Sequence, residues 1–432
     1  MIHAAAKIPT GSWQAGVDTR RATLGGPVPC APGQKYSLAL STSACIIEAM
    51  VRASSSLPAC LAASSLAVLL VGCGGLDAAD NGAWRQAPER GADAGFVLRH
   101  VVRDAALSPD VPGADDAGTD STEADGGDLG APVTVVVLPD TQYYASSYPG
   151  IFAAQTRWIV EQQATRNIAA VLHVGDIVDA PNDKAQWTVA NSSLRLLDGL
   201  VPYVLVPGNH DTDADRVGSI DSYFSPATMP WIGGTMGAGQ IENNYAVVDI
   251  GPQKWLVLGL EFGPRDAVLT WADGVLKANW TLPAIVVTHA YLYGDGNRYD
   301  VAISGLDSSQ PNFQWFIPQW YGYTPKEGIN DGEQIWQKLI VPNPNVRLVF
   351  CGHDNGAARL TSLRPDGSRV HQMLSDYQWL HSGTPDDRGG SGYLRVLEFD
   401  YGQKQIRVQT YSPYLDRFMT DDANQFTLSL EL

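Results

Sequence analysis

Five short polar clusters follow apolar segments along this chain, and their residue types could bind metal ions. In chain order the clusters are Asp140-Thr141-Gln142, Gly175-Asp176-Ile177-Val178-Asp179, Gly208-Asn209-His210-Asp211, Thr288-His289 and Gly352-His353-Asp354-Asn355. Asp, Asn and His supply carboxylate oxygen, amide oxygen and imidazole nitrogen. This mixture suits first-row divalent or trivalent ions better than soft, thiolate-binding ions. The clusters therefore indicate a metal site assembled from distant parts of the sequence.

Each cluster follows a segment that reads as a buried strand. The predicted strands run from Val133 to Leu138, Ala169 to Val174, Tyr203 to Val206, Ala284 to Val287 and Val346 to Phe350. In α/β sheets, the loops at the carboxyl ends of strands converge and bind ligands. Each cluster alone has a plain alternative, such as a turn or an interior histidine satisfied by its neighbours. The ordered series of five favours a metal site over those alternatives.

The first candidate ligands are Asp140, Asp176, Asn209, His289 and His353. Asp176, central in the series, is the natural carboxylate to bridge two ions. Two ions roughly 3.5–4 Å apart can hold a hydroxide between them and contact both the attacking and the leaving oxygen of a phosphoryl transfer. The residue types thus point to phosphoryl chemistry at a pair of ions.

His210 directly follows Asn209 and is a candidate for proton transfer. Its imidazole could protonate the leaving-group oxygen as a general acid, or stabilise a non-bridging phosphoryl oxygen. Either Asp211 or Asp179 could hold its tautomer, and the sequence leaves both open. We therefore predict His210 and Asp211 as catalytic residues, and Asn209 and His210 as substrate-binding residues.

The series resembles the calcineurin-like metallophosphoesterases of the purple-acid-phosphatase-like superfamily. Their pattern runs Asp-x-His, Gly-Asp-x-x-Asp, Gly-Asn-His-Asp/Glu, a lone His, and then Gly-His-x-His. The two middle motifs match fully. The resemblance implies an α/β fold in which two packed mixed β-sheets form a β-sandwich flanked by helices, in four layers. It also implies a dinuclear metal centre that hydrolyses phosphate esters.

The resemblance further implies roles at the matching positions. Asp176 would bridge the two ions, and Asn209, His289 and His353 would complete the site of one of them. Asp140 would serve the other ion, and His210 would be the acid near the substrate.

Two positions depart from the family's pattern, and both concern the second ion. Gln142 and Asn355 stand where the family usually has histidines. If both coordinate, the second site consists of Asp140, Gln142, Asp176 and Asn355, an all-oxygen set that favours Mn²⁺, Mg²⁺ or Ca²⁺ over Zn²⁺. The alternative is a second site that is weak or empty. The expected cofactors are two divalent or trivalent ions, with Mn, Fe, Zn, Mg and Ca all open.

Residues 50–73 have the pattern of a bacterial lipoprotein signal peptide. The apolar run from Leu57 to Val71 is too short for a spanning helix of about 20 residues. It ends in Leu-Val-Gly-Cys, which resembles a lipobox and makes Cys73 the predicted lipidation site. We therefore predict export and lipid anchoring to the cell envelope. Gly74 follows the cysteine where an Asp would indicate inner-membrane retention, so the outer membrane is the expected location, on its periplasmic or surface face.

Composition indicates the character of the segments that flank the predicted signal peptide. Residues 1–49 precede a complete signal and are predicted to be a leader or a start-site artefact. Residues 74–130 are rich in Asp, Ala and Gly, and we predict a disordered acidic linker there. The net charge of −17 and the lack of a basic run argue against a nucleic-acid partner. Cys351 is the one cysteine after residue 73, so we predict a buried apolar role for it.

Residues 131–432 are predicted to form one metallophosphoesterase domain, and their length suffices for a full core. Helical patterns over 151–165, 187–197 and 267–276 alternate with the early strands in α/β order. Later segments read as strands only, over 370–374, 394–399, 406–410 and 426–430. A second sheet packed on the first would account for this change.

The segment 291–323 is rich in Tyr, Trp and Phe and directly follows His289. It could form a wall that stacks on a sugar or base, or an insertion that packs its own small core. Arg298 and Arg388 are further candidates for phosphate contact.

The leading functional prediction is metal-dependent hydrolysis of a small-molecule phosphate ester by a metal-bridging hydroxide. One alternative is a nucleotide or sugar-phosphate phosphatase that uses the aromatic segment 291–323. Another is a non-catalytic metal- or ligand-binding lipoprotein that has lost its second ion. The expected partners are the phosphate ester and a membrane reached through the lipid anchor. The oligomeric state, the metal identity and the choice between monoester and diester stay open.

Overall fold

The computed structural model describes residues 130–323, 328–380 and 388–432. Cys73, the predicted signal peptide and leader, and residues 74–129 of the predicted linker lie outside the described residues, so the predictions on them stay predictions. Within the described ranges, no helix combines the length and apolar character needed to cross a bilayer.

The first sheet has seven strands, and the three strands at one edge run parallel. The order is β13-β12-β11-β1-β2-β3, with β14 paired to β12. The strands are β1 (Val133–Leu138), β2 (Ile168–His173), β3 (Tyr203–Leu205), β11 (Leu394–Asp400), β12 (Gln405–Ser412), β13 (Arg417–Met419) and β14 (Phe426–Ser429). Strands β1, β2 and β3 run parallel, whereas β11 pairs with β1 antiparallel. Every residue of β1 is buried, as expected for a parallel strand covered on both faces.

The second sheet also has seven strands, in the order β4-β5-β6-β7-β8-β10-β9. They are β4 (Ile232–Thr235), β5 (Asn244–Ile250), β6 (Gln253–Leu260), β7 (Ala284–Thr288), β8 (Val346–Cys351), β9 (Gly356–Leu363) and β10 (Arg369–Asp376). Strands β6, β7, β8 and β10 run parallel. Their carboxyl ends therefore lie along one edge of the sheet.

Helices connect the strands and cover the sheets. They are α1 (Gln142–Ser146), α2 (Pro149–Gln162), α3 (Lys184–Leu194), α4 (Ile220–Tyr223), α5 (Asp266–Ala278), α6 (Val301–Ser304) and α7 (Gly332–Ile335), with 3₁₀ turns at Arg195–Leu197 and Pro318–Tyr321 and a π turn at Trp336–Ile340. Helix α2 begins at Pro149, whose fixed φ and missing N–H suit a first helical position. Asp183 caps α3 by accepting the N–H groups of Ala185 and Gln186.

The two sheets pack face to face on a shared apolar core. Val135 and Val137 of the first sheet belong to the same buried cluster as Val257, Ile285 and Phe350 of the second. Helices α2 and α3 pack on the outer face of the first sheet, and α5 with the π turn packs on the outer face of the second. The predicted α/β fold, with two packed mixed sheets flanked by helices, is confirmed.

The predicted division of strands between the sheets is wrong in one respect. We expected the late strands to form the second sheet. Instead β9 and β10 complete the second sheet, and β11 to β14 extend the first. Strands β4 to β6, which the sequence analysis missed, build the rest of the second sheet. The β5–β6 hairpin had a local signal in Gly251-Pro252, because Gly251 turns the chain at φ +66°.

Candidate metal centre

The fold brings the ends of five strands to one place. Asp140, Asp176 and Asn209 follow the parallel strands β1, β2 and β3, and His289 and His353 follow β7 and β8. Ligand atoms of Asp140, Asp176 and His289 all lie within 4.8 Å of one another, and all three residues are buried. The site therefore forms where the carboxyl ends of strands from both sheets meet.

The Nε2 atom of His289 lies at the centre of this group. It is 3.2 Å from Oδ1 of Asp176, 3.2 Å from Oδ1 of Asn209 and 3.9 Å from Oδ2 of Asp140. The Nδ1 atom of His353 is also 3.2 Å from it. Four of the first candidate ligands thus surround the fifth within a few ångströms.

Backbone carbonyls fix the tautomers of both histidines. Nδ1 of His289 lies 2.8 Å from the carbonyl oxygen of Val174, and Nε2 of His353 lies 2.7 Å from that of Phe316. Because a carbonyl only accepts, each of these nitrogens carries a proton and donates. In the neutral rings, the two nitrogens that face each other then present lone pairs, which a shared cation would satisfy. A second ring nitrogen bound to a carbonyl is the usual support of a metal-binding histidine.

Two of these residues have backbone conformations that L-amino acids rarely adopt. Asp176 has φ +49° and His353 has φ +78°. Such conformations cost free energy and cluster at functional sites. Close approach also explains a neighbouring glycine, since a Cβ on Gly208 would lie 2.0 Å from Oδ1 of Asp176. The loops are thus shaped around the side chains of the site.

Burial and mutual repulsion make the carboxylates of the site unusual. Burial, and then the charges of Asp376 and Asp176, raise the pKa of Asp140 well above its usual range. Burial, followed by the charge of Asp176, raises the pKa of Asp211 to about 7. Burial opposes ionisation of Asp176 as well, but His289 and His210 lower its pKa overall. A divalent cation among these groups would stabilise their ionised forms.

Asp179, of the two candidates, is the residue that contacts the ring of His210. Nδ1 of His210 lies 3.0 Å from the carbonyl oxygen of Asp179 and 3.5 Å from its Oδ1. The backbone N–H of His210 donates to Oδ1 of Asp176 at 2.9 Å. The ring is partly exposed, which leaves an edge of it accessible to a bound molecule.

Asp211 contacts the loops of the site and not the ring of His210. It is fully buried, and its carboxylate accepts the backbone N–H groups of Ile177 at 3.1 Å, Val178 at 2.9 Å and Gly208 at 2.8 Å. These bonds join the loops that carry Asp176 and Asn209, and the catalytic role of Asp211 stays a prediction.

The two departures from the family pattern have different environments. Gln142 is 2 % exposed, and its Oε1 atom is buried with no hydrogen-bond partner among the described residues. Asn355 is exposed, at the turn before β9, where its backbone N–H donates to Asp354 at 3.0 Å. Asp354 also accepts the N–H of Gly294, which ties this turn to the segment after β7. Binding of the second ion by both Gln142 and Asn355 therefore finds no support in the exposed position of Asn355.

Sequence reasoning missed His173 and Asp376. Nδ1 of His173 accepts the N–H of Gly175 at 3.2 Å, and its Nε2 lies 2.9 Å from Oγ1 of Thr141, which donates to the carbonyl of Ile177. This chain of bonds ties the first two ligand loops together. Both missed residues end a strand, β2 and β10. A polar residue at the end of an apolar strand was the signal that could have found them.

The aromatic segment 291–323 agrees with both interpretations, because it packs a small core of its own and also borders the site. Tyr299, Ile317 and Tyr323 pack with Phe262 in a small buried cluster, as an insertion with its own core would. The same segment borders the site, because the ring centroid of Tyr321 is 5.7 Å from that of His353 and that of Phe316 is 6.3 Å away.

Three rings of this segment remain partly exposed: Trp315, Phe316 and Trp320, at 38 to 44 %. They contact one another, with centroid distances of 5.9 to 6.5 Å. Arg298, by contrast, is held by Glu333 at 2.6 Å and by Ser362 and Gln372 at 3.0 Å. Its guanidinium is therefore engaged away from the predicted ligands.

The described geometry fits metal binding, and comparisons with known proteins agree. The family model for calcineurin-like phosphoesterases matches residues 133–356. The uncharacterized protein YvnB of Bacillus subtilis (strain 168) is 35% identical over 321 residues, which are 69% of this chain and 22% of YvnB. The chain thus spans about a fifth of the length of that relative.

Solved structures with a similar chain course include two phosphatases. A purple acid phosphatase from yellow lupin (Lupinus luteus) seeds has 16% identity and a TM-score of 0.42, and the match covers 69% of this chain and 54% of the lupin chain. A dimetal phosphatase from Danio rerio has 13% identity and a TM-score of 0.41, covering 70% of this chain and 100% of the other. The family model covers more than half of the sequence, and the chain belongs to the calcineurin-like phosphoesterase family.

Proposed function

We propose that this chain is a metal-dependent hydrolase of phosphate esters. The observation that supports this most is the clustering of three ligand atoms around Nε2 of His289. They are Nδ1 of His353 and the Oδ1 atoms of Asp176 and Asn209, and each lies 3.2 Å from Nε2. Atoms that bind one ion at about 2.0–2.2 Å are separated from one another by slightly more than the distances between these ligand atoms.

In this proposal His289, His353 and Asn209 would hold one ion, Asp140 would hold the second, and Asp176 would serve both. When bound, a pair of divalent ions supplies a water of lowered pKa and offsets the charge of the phosphoryl oxygens. The chain's part is to orient the ester. Asn209 and His210 are adjacent, so the residue that binds the ion also sets the distance of His210 from the phosphorus.

His210 gives a proton to the leaving-group oxygen in this mechanism. Nδ1 donates to the carbonyl of Asp179, so the acidic proton is on Nε2, at the other side of the ring. Burial lowers the pKa of His210, but Asp176 and Asp179 outweigh this effect and raise it. The protonated ring, which a general acid requires, is therefore more favoured than in a free imidazole.

The deciding experiment is a metal-supplemented assay of the purified full chain. Phosphate monoester and diester chromogenic substrates are each tested with Mn²⁺, Fe, Zn²⁺, Mg²⁺ and Ca²⁺ after removal of bound metal. We expect turnover that returns with at least one ion and is lost in His289→Ala. If no ion supports turnover of either substrate, the non-catalytic binding lipoprotein becomes the better description.

A second candidate is a phosphatase for nucleotides or sugar phosphates. The exposed rings of Trp315, Phe316 and Trp320 favour it, because they begin directly beside His353 and offer a stacking surface for a ring on the leaving group. Comparing kcat/KM between nucleoside monophosphates and a small aliphatic phosphate tests this candidate. Equal values would argue against it.

We also propose that the chain is exported and anchored by lipid at Cys73. The support is the order of the signal sequence, in which an apolar run of less than a bilayer's length ends in Leu70-Val71-Gly72-Cys73. A phosphoesterase anchored in the cell envelope in this way would act on esters outside the cytoplasm.

A further inference from the structure

Asp376 is a buried carboxylate at the edge where the ligand loops meet. It ends β10, and the parallel register sets Leu374 level with Cys351 of β8. The chain after Asp376 packs against the chain after Asp140, because the rings of Trp379 and Tyr143 contact each other with 5.3 Å between their centroids. The backbone N–H of His353 donates to the carboxylate of Asp140 at 3.1 Å. Asp376 therefore ends its strand on the side of the site where Asp140 lies.

Gln378 holds Asp376 in place without neutralising it. Its backbone N–H donates to Oδ1 of Asp376 at 2.9 Å, and its Nε2 donates to Oδ2 at 3.1 Å. Both donors are neutral amides. The remaining amide oxygen of Gln378, Oε1, is buried without a partner among the described residues. Asp376 itself is 0 % exposed, so this carboxyl group and the Oε1 acceptor of Gln378 lie together in the interior.

The same arrangement of residues occurs beside Asp140. Gln142 lies two positions after Asp140, as Gln378 lies two positions after Asp376, so the sequence has Asp-x-Gln after both β1 and β10. The Oε1 atoms of both glutamines are buried and unpartnered within the described ranges. Buried polar atoms are normally satisfied, and such exceptions call for an unseen partner such as an ion. Two carboxylates with two free amide oxygens form the donor set of a hard cation.

We propose that Asp376 and Gln142 hold the second ion together with Asp140 and Asp176, and that Asn355 does not. This inference rests on the proposed function for the presence of an ion pair. Asp376 supplies the carboxylate that replaces the imidazoles missing at positions 142 and 355, and Gln378 positions it. The all-oxygen set selects Mn²⁺, Mg²⁺ or Ca²⁺ for this site, while the site of His289 and His353 keeps its nitrogen ligands.

The test measures Mn²⁺ bound by the metal-free full chain, using calorimetric titration and elemental analysis after dialysis. We expect two ions per wild-type chain, and one in Asp376→Asn and in Gln142→Ala. Loss of a direct ligand should weaken the second ion by at least the roughly 10–100-fold typical of outer-shell changes. Gln378→Ala should weaken it less, because the carboxylate remains. Manganese paramagnetic resonance checks the same point, since the spin coupling of a Mn²⁺ pair disappears when one ion is lost.

Two further variants sharpen the test. Asp331→Asn is the matched control, because Asp331 is also a fully buried carboxylate but contacts Gln334, Val301 and Gln319, and Asn still caps its helix. Asn355→Ala tests the rival ligand. Both should keep two ions. Loss of the second ion in Asn355→Ala, with Asp376→Asn unchanged, would overturn the inference.

The inference and the proposed function fail in different ways. A wild-type chain that binds two ions and hydrolyses esters, with Asp376→Asn binding both ions as tightly, refutes only the role of Asp376. A wild-type chain that binds no ion and hydrolyses nothing refutes both. If Asp376→Asn does not fold, Gln142→Ala decides the question, and two tightly bound ions in that variant would refute the site.

Discussion

The carboxylate of Asp140 accepts the backbone N–H of His353, with distances of 3.1 and 3.4 Å to its two oxygens. Asp140 follows β1 of the first sheet and His353 follows β8 of the second, so this contact joins the two sheets at the metal centre. Gly352 permits the approach, because a Cβ there would lie 2.0 Å from Oδ1 of Asp140. The geometry of the centre thus depends on how the sheets pack.

Replacing Gly352 with Ala should damage the centre. The added methyl would also lie 2.7 Å from Val174, so Asp140 and the loop must shift. We expect a loss of about 1–3 kcal/mol in the free energy of unfolding, as for other overpacked sites, together with weaker metal binding. Urea denaturation and metal titration measure the two effects.

Gly274→Ala is the control for this variant. Gly274 lies in α5 with nothing within 4 Å of its would-be Cβ, so Ala should stabilise the helix by about 0.5–1 kcal/mol. If both glycine variants behave alike, the close approach of Gly352 to Asp140 is not what constrains this position.

His210→Ala should lower turnover while leaving metal content intact. General acid–base catalysis typically contributes about 10²–10⁴-fold, and we expect a decrease in kcat of that order. The metal content should not change, because the four atoms nearest Nε2 of His289 belong to other residues. Single-turnover kinetics and elemental analysis check both points. A decrease that vanishes for an ester with a very acidic leaving group would support protonation of the leaving oxygen. Equal losses for all leaving groups would contradict it.

Removing the metal should lower the melting temperature. Asp140 and Asp176 are buried close together, and their repulsion opposes folding unless a cation offsets it. At a free ion concentration about 100-fold above Kd, binding adds about 2.7 kcal/mol to the free energy of unfolding. Calorimetry with and without a chelator measures the change. The decrease in melting temperature caused by the chelator should be smaller in His353→Ala. A wild-type melting temperature that does not change with the chelator would contradict the metal centre.

Trp320→Ala should weaken binding of phosphate esters with a ring on the leaving group. Aromatic pairs contribute about 0.5–1.5 kcal/mol beyond their buried area, so KM should rise by roughly 2- to 10-fold for such esters, with kcat retained. A small aliphatic phosphate should show no change. Trp280→Ala is the matched control, since Trp280 is a more exposed Trp (73 %) between α5 and β7. Parallel losses for both kinds of ester would assign Trp320 a structural role.

Cys73→Ser should release the chain from membranes and abolish lipid labelling. The lipid is attached to the sulfur of a lipobox cysteine, and a hydroxyl oxygen cannot replace it. Fractionation of expressing cells and labelling with a fatty-acid probe measure the two effects. Persistent membrane attachment of the variant would mean that the run from Leu57 to Val71 stays uncleaved and serves as the anchor itself.

Much of the fold could be predicted because its strands carry local signals. The predicted strand over Val133 to Leu138 agrees with β1 in both bounds, and those of β3, β7 and β8 differ by one residue at one end. The predicted strand from Ala169 to Val174 lies one residue later than β2 at both ends. Periodicity and turn residues act within a few positions of the chain, so these elements could be located. The assignment of β9 to β14 to the two sheets could not be predicted in this way, because strand pairing joins segments that lie far apart in the sequence.

The sequence by itself determined the chemistry of this protein. Asp, Asn and His at the ends of apolar strands specify an oxygen- and nitrogen-rich site, because those side chains keep their ligand atoms in any fold that buries the strands. Their order along the chain was enough to indicate the family. The sequence also showed Gln142 and Asn355 at two positions where the family usually has histidines.

Only the tertiary structure decided which groups act together. It exposes Asn355 while burying Gln142, places buried Asp376 at the end of β10, and gives Asp179, not Asp211, the contact with the ring of His210. It also sets the tautomers of His289 and His353 through the carbonyls of distant residues. These relations arise from the packing of two sheets and from backbone hydrogen bonds between loops. Both are properties of the assembled chain that no local pattern of residues encodes.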